Sequence, residues 1–402
     1  MKKYVFITGG ELFNKGAQSM TFIIIDQMKR KYPDAEIVVL STRDFERSEE
    51  DKKQYNFTIM PFTIGWIYDL AGGSLGMLWK TKNLLKKSQP TKYEEYKTKL
   101  DSMLNNAIAL IDTSGYALSS QFRNERSISF LLTILLAKKR NIKMVVMPQS
   151  FGPFSYNGKS SFIIKSLMKQ ALPYPEKIYA REQEGYEMLK GFADLPNVER
   201  TFDMVLLNDG VNYDNIYNTA PEITNYSTIS GVGIVPNEEN FKHGNKENLL
   251  GAYEVIINKI LNYGKKVYIV KHSHNDSETC KIVKRLFENN PNVILLDEDV
   301  SAREFDLLVK QFDFVIGSRF HAIVHSYKNN VPCIAIGWAT KYHELLETFN
   351  QSAYIFDVRE TINSDNMEKA VEQLLNNHHK ESIIIEEKLN QIQSEKDLFS
   401  VF

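Results

Sequence analysis

Residues 313–344 read DFVIGSRFHAIVHSYKNNVPCIAIGWATKYHE, and Ser318, Arg319 and His321 stand at a polar corner just past an apolar run. In an α/β sheet the corner after a strand's carboxyl end is where ligands bind, and a following helix offers unpaired N–H groups to anions. A planar guanidinium with an imidazole two residues on suits a phosphate or a carboxylate. A surface arginine paired with a neighbouring acid fits the same residue types, because structural ion pairs are common. His272 and His274 follow another apolar run, with Asp276 beyond. Alternate residues of an extended chain share a face, so both imidazoles are expected to look into one cleft. A metal there would need a third ligand, such as Asp276. His321 and His325 also stand four apart on one helical face, but without the glutamate of HExxH. The plainer expectation is no metal, with His321 moving protons and His325 bonded to a carbonyl inside its helix.

Four further corners belong to the first half of the chain: residues 14–16 with Asn14 and Gly16, 112–116 with Asp112, 149–153 with Gln149, and Arg181. Each has a plain structural reading. Asp112 could cap a helix, Gly152-Pro153 is a turn signal in any protein, and Arg181 could pair with Glu184 or Glu187 on its own helix. What joins the four is their expected place on one rim of one sheet.

The elements that must position these residues alternate regularly. Strands are expected at residues 3–8, 36–40, 107–111, 143–147 and 177–180, with helices at 17–31, about 93–105 and 127–139, and one running to residue 189. Such spacing indicates βαβ units and a mainly parallel sheet. Residues 41–89 are irregular and aromatic-rich, with a glycine-bearing stretch at 71–76, and read as an insertion at the cleft mouth or a capping subdomain. Residues 208–225, NDGVNYDNIYNTAPEITN, are polar without helical periodicity and read as a linker. A second series follows, with strands at 229–235, 266–270, 293–296, 314–317 and 332–336 and helices at 248–262, 277–288 and 302–311. Two charged helices, 363–380 and 385–396, end the chain. The reading is an α/β protein of two Rossmann-like parallel-sheet domains facing across a cleft. Its units are 1–210, 226–380 and a terminal helical segment, 381–402.

At 402 residues the chain is long enough for two domains with substantial cores. A net charge of −1 gives no basic excess for a nucleic-acid backbone. Two cysteines far apart encode neither a disulfide framework nor a cysteine metal site, which fits a reducing cytoplasm. The apolar run at residues 4–7 is too short for a secretory leader. The most apolar helical stretches, 21–25 and 128–137, fall short of the roughly 20 residues that span a bilayer. The expectation is a soluble cytoplasmic protein that at most rests on the inner face of a membrane, with its oligomeric state open.

Residues 318–341, SRFHAIVHSYKNNVPCIAIGWATK, resemble the C-terminal signature of the polysaccharide pyruvyltransferase family: Arg-x-His, a helix of small residues, a Pro-led strand and a Lys. That family's Asn-x-Gly corner is matched by Asn14-Lys15-Gly16. Its Gln-x-x-Gly-Pro corner is matched by residues 149–153, and its Arg-Asp/Glu pair by Arg181-Glu182. Two places depart from the pattern. Ala17-Gln18 stands where an acidic residue is frequent, and Asp112-Thr113-Ser114-Gly115 replaces a glycine-rich corner; both bear on the acceptor.

The resemblance implies a GT-B-like fold, a terminal helix crossing back to the first domain, and transfer of an enolpyruvyl unit from phosphoenolpyruvate. The product would be a pyruvate ketal on a sugar of a surface polysaccharide or its lipid-linked precursor. Phosphoenolpyruvate is then a co-substrate and no cofactor is expected. Arg181, Arg319, Ser318, His272 and His274 are expected on the donor, Asn14, Gly16 and Gln149 on the acceptor. His321 is expected as the acid or a phosphate ligand, and Asp112 as the base. Histidine's ordinary pKa, about 6.5, suits the protonation such a reaction needs. The alternatives are a glycosyltransferase using a nucleotide sugar, with Glu304 or Asp306 as a ribose anchor, and a non-catalytic ligand-binding protein of a polysaccharide assembly complex.

Overall fold

A computed structural model of the chain describes residues 2–72, 93–394 and 397–402. β1 (Lys3–Thr8), β2 (Ala35–Leu40), β3 (Thr58–Met60), β4 (Ala107–Asp112), β5 (Lys143–Gln149), β6 (Lys177–Ala180) and β7 (Val198–Arg200) form a parallel sheet. Their order is β3-β2-β1-β4-β5-β6-β7. Side chains alternate across it: Val5 and Ile7 enter the apolar core on one face, Phe6 that on the other. A strand buried on both faces needs crossover helices on each side, which is what a parallel layer supplies. Burying one such side chain fully contributes roughly 1.5–3 kcal/mol.

The second sheet joins β8 (Gly231–Val235), β9 (Val267–Val270), β10 (Val293–Leu296), β11 (Phe312–Gly317), β12 (Cys333–Gly337) and β13 (Ile355–Asp357) in the order β10-β9-β8-β11-β12-β13, again parallel. Both orders reverse beside the first strand of their domain, between β1 and β4 and between β8 and β11. The crevice outside the carboxyl ends at such a reversal is the ligand site of open α/β sheets.

The short edge strands and the terminal helix differ from the sequence reading. β3, β7 and β13 have three residues each, too few for an alternation to show. β3 therefore sits inside the stretch read as an insertion, as the edge strand beside β2. That stretch also holds a helix, Ile64–Ala71, while its continuation over 73–92 lies outside the described residues. The two expected terminal helices are one helix of 30 residues, Ser364–Gln393.

The polar linker is no free tether. Tyr217 stacks on Tyr55 at 5.6 Å, and Asn218 Nδ2 donates to the carbonyls of Lys53 and Tyr55 at 2.9 Å each. The terminal helix packs first against the second domain, and then Gln393 Nε2 donates to Leu206 O at 3.2 Å on the first. Beyond it, Leu398 and Phe399 insert beside Tyr179 and Lys31. One contiguous apolar core runs from Val5 through Met204–Leu206 to Val232 and Phe399. Among the described residues no helix is long and apolar enough to cross a membrane.

Candidate active site

The helix Lys15–Lys31 leaves β1 with its first turn aimed at the second domain. Asn14 caps it, its Oδ1 accepting from the amides of Gly16 at 3.0 Å and Ala17 at 3.3 Å. A Cβ on Gly16 would fall 2.2 Å from Cγ and Nδ1 of His321, so the imidazole rests on bare backbone. His321 itself comes from the first turn of the helix Phe320–Lys328, which follows β11. Its Nε2 lies 3.5 Å from Oδ2 of Asp203, an ion-pair distance but a long one for a hydrogen bond. Asp203 is buried, caps Val205 N at 2.9 Å through Oδ1, and accepts from Arg181 Nη1 at 2.9 Å through Oδ2.

Burial works against the charge on Asp203, but its contacts with His321 and Arg181 outweigh that and hold the carboxyl well below its usual range. Burial lowers the pKa of His321, and Asp203 opposes the shift without cancelling it. The imidazole is therefore neutral at pH 7, with an anionic partner behind it that stabilises any proton it takes up.

His321 stands in the wall between two cavities. The larger, about 690 Å³, lies on the first domain and is lined by Asp112, Tyr116, Arg43 and Arg126 together with apolar Phe62, Ile64 and Ile67. The smaller, about 170 Å³, lies on the second domain among Asn237, Glu239, His272, Arg319, Trp338 and Tyr342. Asn14, Phe320, His321 and Lys341 line both. A proton donor in that wall reaches molecules held on either side.

Several residues singled out in the sequence occupy places their types did not reveal. Arg319 lines the smaller cavity, yet its guanidinium is clasped by buried Asp276 at 2.5–3.2 Å. Arg181 donates to Glu182 at 2.8 Å, Asp203 at 2.9 Å and Ser150 at 2.7 Å, and stacks 4.2 Å over Phe320. Three of its five N–H groups are thus committed, to two acids and a serine rather than to Glu184 or Glu187. Ser318, expected on the donor, is fully enclosed: its Oγ pairs with Tyr253 Oη at 3.2 Å and its carbonyl accepts from Asn237 and Tyr342.

His272 and His274 do not share a face, because a 3-10 turn begins at His274. His272 is buried at the smaller cavity with neither ring nitrogen bonded, and burial holds its pKa well below the ordinary value. His274 points outward, 80 % exposed, near Asp299. Asp276 instead caps the turn, accepting from Ser273 N. Among the described residues no three His, Cys, Asp or Glu groups are placed to hold a metal ion.

Asp112, which ends β4, is no helix cap. It lines the larger cavity and accepts from Thr8 Oγ1 at 2.9 Å, Ser114 Oγ at 2.9 Å, Ser114 N at 3.2 Å and Gln149 Nε2 at 3.1 Å. Burial raises its pKa against those four donors. Gln149, expected on the acceptor, is enclosed behind Asp112. Gly16, also expected there, serves His321 instead. His325 makes no bond to a helix carbonyl: Nε2 meets Ser19 Oγ at 3.1 Å and Nδ1 meets Asp306 Oδ1 at 2.6 Å. Of this serine–histidine–aspartate row Ser19 and His325 are buried and Asp306 half-buried, and the row lines neither of the two cavities.

The sequence reading passed over three residues. Asp203 follows β7, a strand too short to be seen, so nothing marked it as a corner. Arg126 opens the helix Asn124–Lys139 onto the larger cavity without an apolar run to flag it. Lys341 ended the quoted C-terminal signature and was left without a role. Its amine lies among the rings of Phe320 at 5.3 Å, Tyr116 at 5.5 Å and Tyr342 at 5.8 Å.

The fold has well-populated company. UDP-GlcNAc 2-epimerase from Methanocaldococcus jannaschii superposes with a TM-score of 0.53 at 16% identity, over 94% of this chain and 93% of that one. S. aureus TarM, solved with UDP, gives 0.56 at 10% identity over 100% and 98%. Anabaena HepE, also solved with UDP, gives 0.56 at 10% identity over 99% and 97%. At these identities the likeness is one of fold, that of the two-domain GT-B enzymes. No curated protein sequence matches the chain. The family model of polysaccharide pyruvyl transferase does, over residues 14–340, and so takes in Asn14, Gly16, Asp203, Arg319 and His321 together. The chain with this site belongs to the polysaccharide pyruvyl transferase family.

Proposed function

We propose that the protein transfers a pyruvyl unit from phosphoenolpyruvate to two neighbouring hydroxyls of a sugar, forming a cyclic ketal and releasing phosphate. The observation that carries this reading is the place of His321 in the wall shared by a small polar cavity and a large mixed one, with Asp203 behind its ring. The donor takes the smaller cavity, beside Arg319 and His272. The sugar takes the larger one, where Asn14 and Asp112 face it.

His321, charged once the anionic donor is beside it, gives its proton to the methylene carbon, which becomes the methyl group. A sugar hydroxyl bonds to the adjacent carbon and gives up its proton, which restores the acid. The second hydroxyl bonds to the same carbon as the bond to the phosphate oxygen breaks, and its proton leaves with phosphate. Asp112, its pKa raised by burial, is suited to receive one of these protons. The apolar side of the larger cavity suits a sugar carried on a lipid, and the reading places the enzyme at the cytoplasmic face of a membrane.

The test is phosphate release from phosphoenolpyruvate with a panel of lipid-linked and aryl sugars. A melting shift with phosphoenolpyruvate is expected beside it, since a ligand at a hundredfold excess over its Kd stabilises the native state by about 2.7 kcal/mol. The rival is transfer from a nucleotide sugar, favoured by UDP in the structures of TarM and HepE. Against it, Glu304 closes a capping box with Ser301 and Asp306 is held by His325 and Asn329, so both proposed ribose anchors are engaged. Stabilisation by UDP and not by phosphoenolpyruvate would favour the rival. Binding with no turnover of any sugar would favour a non-catalytic protein.

A further inference from the structure

Outside the cleft, the first domain carries its charge unevenly. Residues 126–175 contain no Asp or Glu, although the chain has 50 in all and a net charge of only −1. The stretch runs through the helix Asn124–Lys139, the strand β5 and the helix Gly158–Ala171, which packs on the first helix. Arg140 and Lys143 pair with Asp101 and Glu176, acids from outside the stretch. Lys138, Lys159, Lys165 and Lys169 are exposed and make no ion pair among the described residues.

The helix Gly158–Ala171 buries Ile164, Leu167, Met168 and Ala171. Its outer side sets Phe162 among Lys159, Lys165 and Lys169, which are spaced three and four apart along the helix and so share one face. Phe162 is 80 % exposed. A single exposed apolar residue needs no explanation. An exposed ring fringed by unpaired lysines is the pattern of a helix lying at a lipid interface, with the ring among the acyl chains and the ammonium groups at the headgroups. Ile383, the next most exposed large apolar residue, has Glu386 and Glu387 one turn on instead of that fringe.

We propose that this face of the first domain docks on an anionic lipid bilayer, with Phe162 entering the interface and the four lysines meeting the headgroups. The proposal deepens the membrane placement of the pyruvyl-transfer reading and rests on it for the reason a membrane is there, while the lipid contact is measured without turnover. The helix Asn124–Lys139 connects the face to the acceptor cavity. Lys138 near its end donates to Gln170 O of the docking helix at 3.5 Å, and Arg126, Phe130 and Thr133 in its opening half line the larger cavity. Lys138 and Arg126 are about 18 Å apart along that axis, at roughly 1.5 Å per residue. Each lysine near an anionic surface raises the partition about fivefold, and the four together about 10²–10³-fold. Salt weakens that share and leaves the contribution of the ring.

Two measurements on the full-length protein test this. In the first, it is sedimented with vesicles of phosphatidylcholine alone, or of phosphatidylcholine and phosphatidylglycerol in equal parts. Binding to the anionic vesicles, weakened by salt, and little binding to the neutral ones is expected. Lys165→Gln with Lys169→Gln should weaken it about 25-fold and Phe162→Ser about tenfold, at unchanged melting temperature because all three side chains are exposed. In the second, Phe162→Cys is labelled with nitrobenzoxadiazole, the native Cys280 and Cys333 being buried. The label's emission should shift to the blue on anionic vesicles. Absence of binding, equal binding to both vesicles, or binding with an unshifted label overturns the proposal. Binding to DNA with none to vesicles overturns it too and makes the face a site for a soluble polyanion. Phosphate release with a water-soluble aryl sugar should be the same in the protein and in the double lysine variant, so failure of the pyruvyl-transfer reading shows in that assay and failure of the docking in the sedimentation.

Discussion

His321 shows how far a residue's type and its surroundings can part. A free imidazole is half charged near pH 6.5, but burial lowers this one, and Asp203 at 3.5 Å recovers only part of the shift. Its charge must therefore come with the donor. The rate should fall as the pH rises through the pKa of the donor-bound imidazole, because the acid form is consumed there. His321→Gln keeps a hydrogen-bond donor and cannot deliver the proton. Turnover should drop about 10²–10⁴-fold with donor KM little changed, and the alkaline fall in kcat should disappear. Steady-state kinetics across pH decide it, and a loss of donor affinity at unchanged kcat would make His321 an anion ligand instead. The sequence displayed the histidine and the arginines plainly. It could not display their partners, because Asp203 stands 118 residues from His321 and Asp276 stands 43 from Arg319. Side-chain pairing is chosen in space, and residue type alone leaves an arginine free to be an anchor or half of an ion pair.

At the scale of the element, the Lys15–Lys31 helix is the part on which both domains agree. Asn14 starts it, Gly16 makes room for the imidazole, Lys15 reaches two carbonyls of the second domain, and Gln18 Oε1 accepts from Ala302 N at 2.6 Å. Gly16→Ala is accordingly a test of geometry with little else attached. Alanine is the better helix former by roughly 0.8–1.0 kcal/mol, so the helix itself gains. The new Cβ must however push the His321 ring by more than an ångström. Activity should fall at least tenfold while the melting temperature changes little, read by phosphate release beside calorimetry. Strongly apolar inner strands such as β1 and β6 were legible to the residue, because both faces of an inner parallel strand are apolar. The three-residue edge strands were not, since they pair along one side only and need little apolar patterning.

On the scale of the whole molecule, one of the two apolar cores takes in residues of both sheets, and unfolding should be a single transition. Its pH dependence follows from the buried histidines. The pKa values of His272 and His321 are lowered in the folded state, so below about pH 6.5 the unfolded chain binds protons the folded one does not. Stability should therefore be full above pH 7 and decline as the pH falls through that range. Asp203, with its pKa depressed, adds a further loss only at lower pH, below about 4. A melting series from pH 8 to 5 should show the decline, and His272→Met should flatten it. An equal slope in that variant would move the effect to other groups.

The 30-residue terminal helix has a consequence for motion. The backbone passes between the two domains twice, once at residues 208–230 and once along that helix, and Gln393 joins the two passages at Leu206. A body held by a single strand can twist in any sense, whereas one held by two adjacent, bonded strands can only swing about the line through both. Any relative motion of the domains is thereby expected to keep to one degree of freedom, like the lid of a box. Lys341 and His321 belong to one side of that hinge and Gly16 to the other, so such a motion would return the imidazole to its bed in the same register.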